Sequence, residues 1–212
     1  MRTDKVLLIG AGGHCKVVID ALLGSGVVQG ALRVADDAPL RAGSSVLEVR
    51  VAGTVSQCLQ PGDGFHVAVG HNSTRERLAQ VCEDSDMVPL TVQHPRAVVS
   101  GAAHLGPGCL VAPGAVLAPG AQVGAHCILN HGAVVDHDCV VGAFTHIAPH
   151  ATLGGGVRIG RRVLVGAGAT LLPGVSVGDD CTIGAGAVVL HDLPAGSTFA
   201  GVPAHRIDGN TP

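Results

Sequence analysis

Beyond residue 98 the apolar positions fall into a six-residue period. Every sixth residue from Val99 to Val189 is Val, Ile or Leu. The position four further on, from Ala103 to Ala187, is Ala, Cys, Thr or Val. A strand alternates faces every two residues and a helix repeats about every 3.6, so neither alone produces a clean six. A short strand followed by a turn does, if the chain bends once per hexad. Three hexads then close a triangular coil of about eighteen residues, with the large aliphatic filling the interior and the small residue where the walls meet. Gly and Pro at the remaining positions permit the corners. The hexads from Val99 to Val188 make about five coils of a parallel β-helix. Each coil covers its neighbour's edge, so only the ends need caps.

The first ninety residues follow other periods. Lys5 to Ile9 reads as a buried strand and Gly10-Ala11-Gly12-Gly13-His14 as a turn. Lys16 to Leu23 carries apolar residues at helical spacing. A second strand is expected over Ala31 to Val34, ending in Asp36-Asp37. A later one is expected at Val67-Ala68-Val69, before Gly70-His71-Asn72. Ser73 to Glu83 reads as a helix, with Ser73 a cap and Glu76 three residues on. Strands alternating with helices predict a small α/β domain with a parallel sheet. Asp84 to Pro95 reads as an extended link. The expected division is 1–90, an α/β domain with a small Rossmann-like sheet, and 91–212, a β-helix with a C-terminal tail.

Composition narrows the class. Of 212 residues, 47% are apolar and only 14% charged, with a formal net charge of -3. A disordered chain would be less apolar and more charged. A nucleic-acid partner is not expected, because there is no basic excess and Phe65, Phe144 and Phe199 are the only aromatic residues. Gly, at 32, does not recur every third residue, which excludes collagen. No run approaches the roughly 18 apolar residues of a membrane span. Met1-Arg2-Thr3-Asp4-Lys5 lacks the shape of a signal peptide. A cytoplasmic protein is expected, with Cys15, Cys58, Cys82, Cys109, Cys127, Cys139 and Cys181 as reduced thiols. The last four occupy the inward small position and read as buried hydrophobes.

Two places carry candidate chemistry. Gly10-x-Gly12-x-x-Cys15 has Cys where a dinucleotide fingerprint has its third Gly or Ala. It suits a nucleotide phosphate better than NAD, since backbone N–H groups at a helix start favour an anion. Acidic residues closing the next strand could read a ribose or base. A tight turn with no ligand is the other reading. In the β-helix, Asp136-His137-Asp138 sets an imidazole between carboxylates, an arrangement that fixes a tautomer and raises basicity. The other reading is a solvated polar corner. The histidines of the repeat avoid the inward positions, so they are expected outside or at corners. Zinc shared by three His is a rival chemistry, but no two of these His are eighteen apart.

Taken together these motifs resemble the left-handed β-helix sugar acyltransferases. The likeness runs over Ile9-Gly-Ala-Gly-Gly-His-Cys-Lys-Val-Val-Ile-Asp20, Asp36-Asp37, Ala68-Val-Gly-His-Asn72 with Arg75, and His94-Pro95. It continues through Ile128-Leu-Asn-His-Gly-Ala-Val-Val-Asp-His-Asp-Cys139, Gly142-Ala-Phe-Thr-His146 and Gly201-Val-Pro-Ala204. That family includes nucleotide-sugar N-acetyltransferases of the bacillosamine and perosamine pathways and sialic acid O-acetyltransferases. The resemblance implies a left-handed coil and a homotrimer with acetyl-CoA, a co-substrate, between neighbouring β-helices, and neither a metal nor a membrane. It implies His137 as general base with Asp138 orienting it, and Asn130, His146, Gly155, Gly166, Ala167, Gly184 and Ala185 at acetyl-CoA. Gly12, Gly13, His14, Asp36, Asp37, Gly70 and Asn72 match nucleotide-sugar positions. The implied reaction is N-acetylation of a nucleotide-linked 4-amino-6-deoxysugar. Sialic acid O-acetylation and a β-helix zinc hydratase are the alternatives.

Overall fold

A computed structural model of the chain describes residues 5–41 and 43–207. Met1-Arg2-Thr3-Asp4, part of the N-terminal leader reading, and the end of the C-terminal tail lie outside the described residues. The chain divides into two compact units, 1–95 and 96–212. Residues 91–95 group with the first unit: Ser25 Oγ donates to the Gln93 carbonyl at 2.8 Å, and a Cβ on Gly24 would meet His94 and Pro95 at 3.5 Å.

The first unit is a parallel sheet with helices. In chain order its elements are β1 (Val6–Ile9), α1 (Gly13–Gly24), β2 (Leu32–Ala35), β3 (Ser45–Val46), β4 (Val49–Gly53), α2 (Val55–Cys58), β5 (Gly64–Val67), α3 (Asn72–Glu83) and β6 (Val88–Pro89). The sheet order is β3-β4-β2-β1-β5-β6, with β3 alone antiparallel. β1 is central because its four residues are all buried, as a strand covered on both faces must be. The chain runs outward from β1 to β2 and β4, then returns to β5 on the other side. The strand order therefore reverses between β1 and β5, and a crevice opens at their carboxyl ends.

Several boundaries differ from expectation. The second strand runs over Leu32–Ala35, one residue later than expected. The later strand is Gly64–Val67, with Ala68 and Val69 already in the loop. His66 hides it from the apolar pattern, yet the ring is buried with Nδ1 2.9 Å from the Leu90 carbonyl. α3 begins at Asn72 with His71 as its N-cap, so Ser73 is inside the helix and caps nothing.

The second unit is the expected β-helix, and it is left-handed. Three walls of two-residue strands stack with a register of eighteen, as in Val116↔Val134, Gln122↔Val140 and Ile128↔His146. The aliphatic column is the core: Leu117, Leu129, Ile147 and Leu171 are all buried. Val99 and Leu105 of the first coil are only partly buried. One position per hexad carries the bend. Residues 108 to 186, in steps of six, all have positive φ; most are Gly, and His126, Asp138, Phe144, His150, Arg162 and Asp180 fill the rest. The C-terminal end is closed by Thr198–Ala200, parallel to Thr182–Ile183, and by His205–Arg206 turned antiparallel onto it. That hairpin blunts an open edge.

The inward cysteines do more than fill space. Cys109, Cys127, Cys139 and Cys181 are buried, and their thiols donate to the carbonyls of Gly124, Gly142, Gly154 and Pro194 at 3.0–3.2 Å. Thr145, one rung beyond Cys127, does the same: its hydroxyl donates to the Gly160 carbonyl at 2.9 Å and accepts the Val163 N–H at 3.0 Å.

Candidate active site

One edge of the prism carries His137. The strand Val134–Val135 ends there, and Asp136 turns its carboxylate back to accept the His137 N–H at 2.7 Å. Asp138 sits at φ 59, a left-handed conformation that Asp tolerates, and its Oδ2 lies 2.9 Å from His137 Nδ1. The shorter acid thus reaches the ring. With a carboxylate on Nδ1 that nitrogen carries the proton, which leaves Nε2 as the basic atom. Eighteen residues on, Gly155 lies against that atom: a Cβ there would sit 2.5 Å from His137 Nε2. Among the described residues the Gly155 N–H has no protein acceptor, whereas the corresponding N–H at His131, His137 and Arg161 is taken by a side-chain oxygen.

Electrostatics favour the charged ring. The Asp138 hydrogen bond, then the Asp136 charge, hold His137 above the ordinary histidine value of 6.5. Cys139, two residues away, is no nucleophile, since its side chain points inward and burial pushes its thiol up.

A second edge carries the other β-helix residues. Asn130, Gly166 and Gly184 belong to one column spaced by eighteen. A Cβ on Gly166 would meet the Ala185 nitrogen at 2.6 Å and the Gly184 carbon at 2.7 Å, so glycine is dictated by the close stacking of coils. The Gly186 N–H donates to the Ala167 carbonyl at 2.8 Å. Asn130 Nδ2 is 3.1 Å from Nε2 of His146, which lies on the adjoining wall. Within one chain the structure groups His137, Asp138 and Gly155 on one edge and Asn130, His146 and the glycine column on another. It does not bring the two groups together.

In the first unit, the expected nucleotide-sugar residues gather at the carboxyl edge of the sheet. Gly12 and Gly13 open α1, and a Cβ on either would meet nothing within 4 Å, so the backbone there is uncovered. His14 follows in the first turn of α1. Gly10, at φ 101, packs tightly instead, since a Cβ would fall 2.7 Å from Val69 Cγ2. That contact joins the loops after β1 and β5. Asp36 accepts the Ala11 N–H at 2.6 Å and the Ala38 N–H at 2.8 Å, tying the β2 loop to the β1 loop. Asp37 turns away: its Oδ1 accepts the Val55 N–H at the start of α2. Cys15, beneath this loop, is driven to about 12 by burial and by the Asp36 charge.

Comparison with known proteins bears on all of this. The family model of the PglD N-terminal domain matches residues 5–82, and that of the bacterial transferase hexapeptide (six repeats) matches 102–137 and 156–191. The acetyltransferase domain of PglB from Neisseria gonorrhoeae FA1090 is 38% identical and superposes with a TM-score of 0.91, over 96% of this chain and 100% of that one. It has also been solved in complex with acetyl coenzyme A. This chain belongs to the bacterial hexapeptide-repeat sugar acetyltransferases. A GDP-perosamine N-acetyltransferase from Caulobacter crescentus, solved with CoA and GDP-perosamine, is 37% identical with a TM-score of 0.89, over 97% of each chain. WeeI from Acinetobacter baumannii AYE, 23% identical with a TM-score of 0.80, shares the fold. A comparison with curated proteins finds no match.

For this acetyltransferase, sequence reasoning missed two residues at the sites. Arg75 is 1% exposed and donates to the carbonyls of Val69 and Gly70 and to Asn72 Oδ1, so it shapes the turn from Gly70 into Asn72 at the start of α3. The motif included Arg75, but nothing in spacing said that a guanidinium would be buried. His131 is the other, bonded to Asn130. Among the described residues no group of three or more His, Cys, Asp or Glu is arranged to hold a metal ion. Nor is any of their helices long and apolar enough to cross a membrane.

Proposed function

We propose that this acetyltransferase moves the acetyl group of acetyl-CoA onto the amino group of a nucleotide-linked 4-amino-6-deoxysugar, with His137 as general base. The observation that carries this reading is the His137 edge: Nδ1 held by Asp138 at 2.9 Å, and Nε2 directed at the backbone of Gly155. The amine lone pair attacks the thioester carbonyl carbon, and its proton passes to His137 Nε2. The tetrahedral oxyanion accepts the Gly155 N–H, a fixed donor of the kind that stabilises developing charge. The C–S bond then breaks, and CoA leaves as a thiolate that takes up the proton. Asp138 steadies the imidazolium meanwhile. No acyl-enzyme is formed.

Acetyl-CoA and GDP-perosamine complexes of the neighbours support the donor and the acceptor class. The first unit holds the nucleotide at the crevice where strand order reverses, with the α1 N-terminus and Gly12-Gly13 facing phosphate. The donor lies along the Asn130–Gly166–Gly184 edge. Since that edge and the His137 edge are apart in one chain, a neighbouring copy supplies the missing half; that the assembly is a homotrimer is what the family resemblance implies. The reading sets the reaction in the cytoplasm, where the seven cysteines, none of them in a disulfide among the described residues, stay reduced.

The test is thiol release from acetyl-CoA against UDP-, dTDP- and GDP-linked 4-amino-6-deoxysugars, with free and CMP-linked sialic acid as controls. Release with one amino sugar is expected, and His137→Ala is expected to lower it about 10²- to 10⁴-fold in a folded protein. Release only with sialic acid would move the assignment to O-acetylation. Near-normal turnover of the variant would remove the base.

A further inference from the structure

We propose that His131 is a positioning residue: acting through Asn130, it holds His146 as the neutral tautomer protonated on Nδ1. The kinetic consequence rests on the acetyl-transfer reading above; the tautomer does not.

The argument starts from a backbone donor. Asn130 Oδ1 lies 2.9 Å from the His131 N–H and 2.8 Å from His131 Nδ1. A backbone N–H can only donate, so the amide atom facing it is the oxygen, and the orientation of the Asn130 side chain is decided. That oxygen can only accept, so His131 Nδ1 carries a proton. The amide nitrogen is thereby turned toward His146 Nε2, 3.1 Å away. An amide nitrogen can only donate, so Nε2 presents its lone pair and the ring proton is on Nδ1. A doubly protonated His146 would set N–H against N–H at a buried amide. The polarity of the network therefore runs one way, from His131 through Asn130 to His146. It bars His146 Nε2 from acid–base work and makes the ring a directed donor at the donor-substrate edge. Asn130-His131 is followed by Gly132 at φ 63, so the corner itself carries both side chains on one turn.

The test is histidine-selective ¹⁵N NMR of the full chain without substrates, with the His146 ring signals identified by their loss in His146→Gln. The wild-type protein is expected to show Nδ1 protonated and Nε2 bare. In His131→Ala the backbone N–H is the one donor of the pair left on the Asn130 oxygen, so the Nδ1 tautomer of His146 is expected to lose population without vanishing, and kcat to fall roughly 3- to 10-fold, the value of one lost hydrogen bond. The acceptor KM should stay unchanged. His131→Asn, whose amide N–H stands where Nδ1–H stood, is expected to restore both tautomer and kcat. A wild-type His146 protonated on Nε2 would overturn the proposal. So would a folded His131→Ala variant with unchanged tautomer and kcat. Were that variant to fail to fold, His131→Asn decides alone: a wild-type tautomer supports the proposal and a shifted one ends it. Expected tautomers in a protein that acetylates nothing would leave the network standing and sink the functional reading instead.

Discussion

His137 is an exposed ring whose properties are set by its two acidic neighbours. The Asp138 hydrogen bond contributes most to its raised pKa, ahead of the Asp136 charge and against the small cost of desolvation. A base with a raised pKa stays protonated to higher pH, so activity is expected to rise with pH through a limb above 6.5 and to fall as the ring protonates. Asp138→Asn keeps a side chain that tolerates φ 59 but removes the carboxylate. Its kcat/KM profile should show the limb moved to lower pH; a limb that does not move would separate Asp138 from the base. Gly155→Ala tests the other side of the ring. Its Cβ would stand 2.5 Å from His137 Nε2, while Gly155, unlike Gly156 at φ 70, does not need the left-handed region. A folded variant with kcat down on the order of 10²-fold is expected from single-turnover rates. At this scale the sequence singled out Asp136-His137-Asp138 as a candidate, because an imidazole between carboxylates is legible as a triplet. Stacking by eighteen set Gly155 against His137, but which ring nitrogen faces it depends on the Asp138 contact, which no spacing displays.

The hexad is the element that repeats, and its two inward positions have different duties. The aliphatic position is simple burial and was legible at every step. The small position is polar work as well where it holds Cys or Thr, since the carbonyls of Gly124, Gly142, Gly154, Gly160 and Pro194 each accept from a thiol or hydroxyl there. Thr145 is fully buried and bonded on both sides. Thr145→Val has nearly the same shape but removes the donor to the Gly160 carbonyl and the acceptor of the Val163 N–H bond. It is expected to cost about 1–3 kcal/mol by urea denaturation, with Thr145→Ser closer to wild type. In the first unit the β3–β4 hairpin was not legible. Its two turn residues, Leu47 and Glu48, both adopt positive φ, at 44 and 64, where Asn-Gly is the usual signal. The sheet imposes that turn through the Val46↔Val49 and Val34↔Val51 pairings, against local preference.

At the scale of the whole molecule, the separate His137 and Asn130 edges are, on the proposed reading, two halves of one site, completed by a neighbouring copy. Three copies of 21.1 kDa would give about 63 kDa by light scattering. Inactive His137→Ala and inactive His146→Gln, mixed and reassembled, should recover part of the activity, because some interfaces then carry two intact halves. No recovery from mixed assemblies would mean that each chain works alone. The sequence by itself determined the β-helix and its triangular section, since the period of six is written into every hexad. It determined as well the strand–turn–helix opening of the first unit and the family to which these motifs belong. Only the tertiary structure decided the sheet order that opens the crevice between β1 and β5, the burial of Arg75 under its loop, and the direction of the His131–Asn130–His146 network. Those depend on which backbone donors and acceptors meet across distant segments, and hydrogen-bond polarity has no period for a sequence to display.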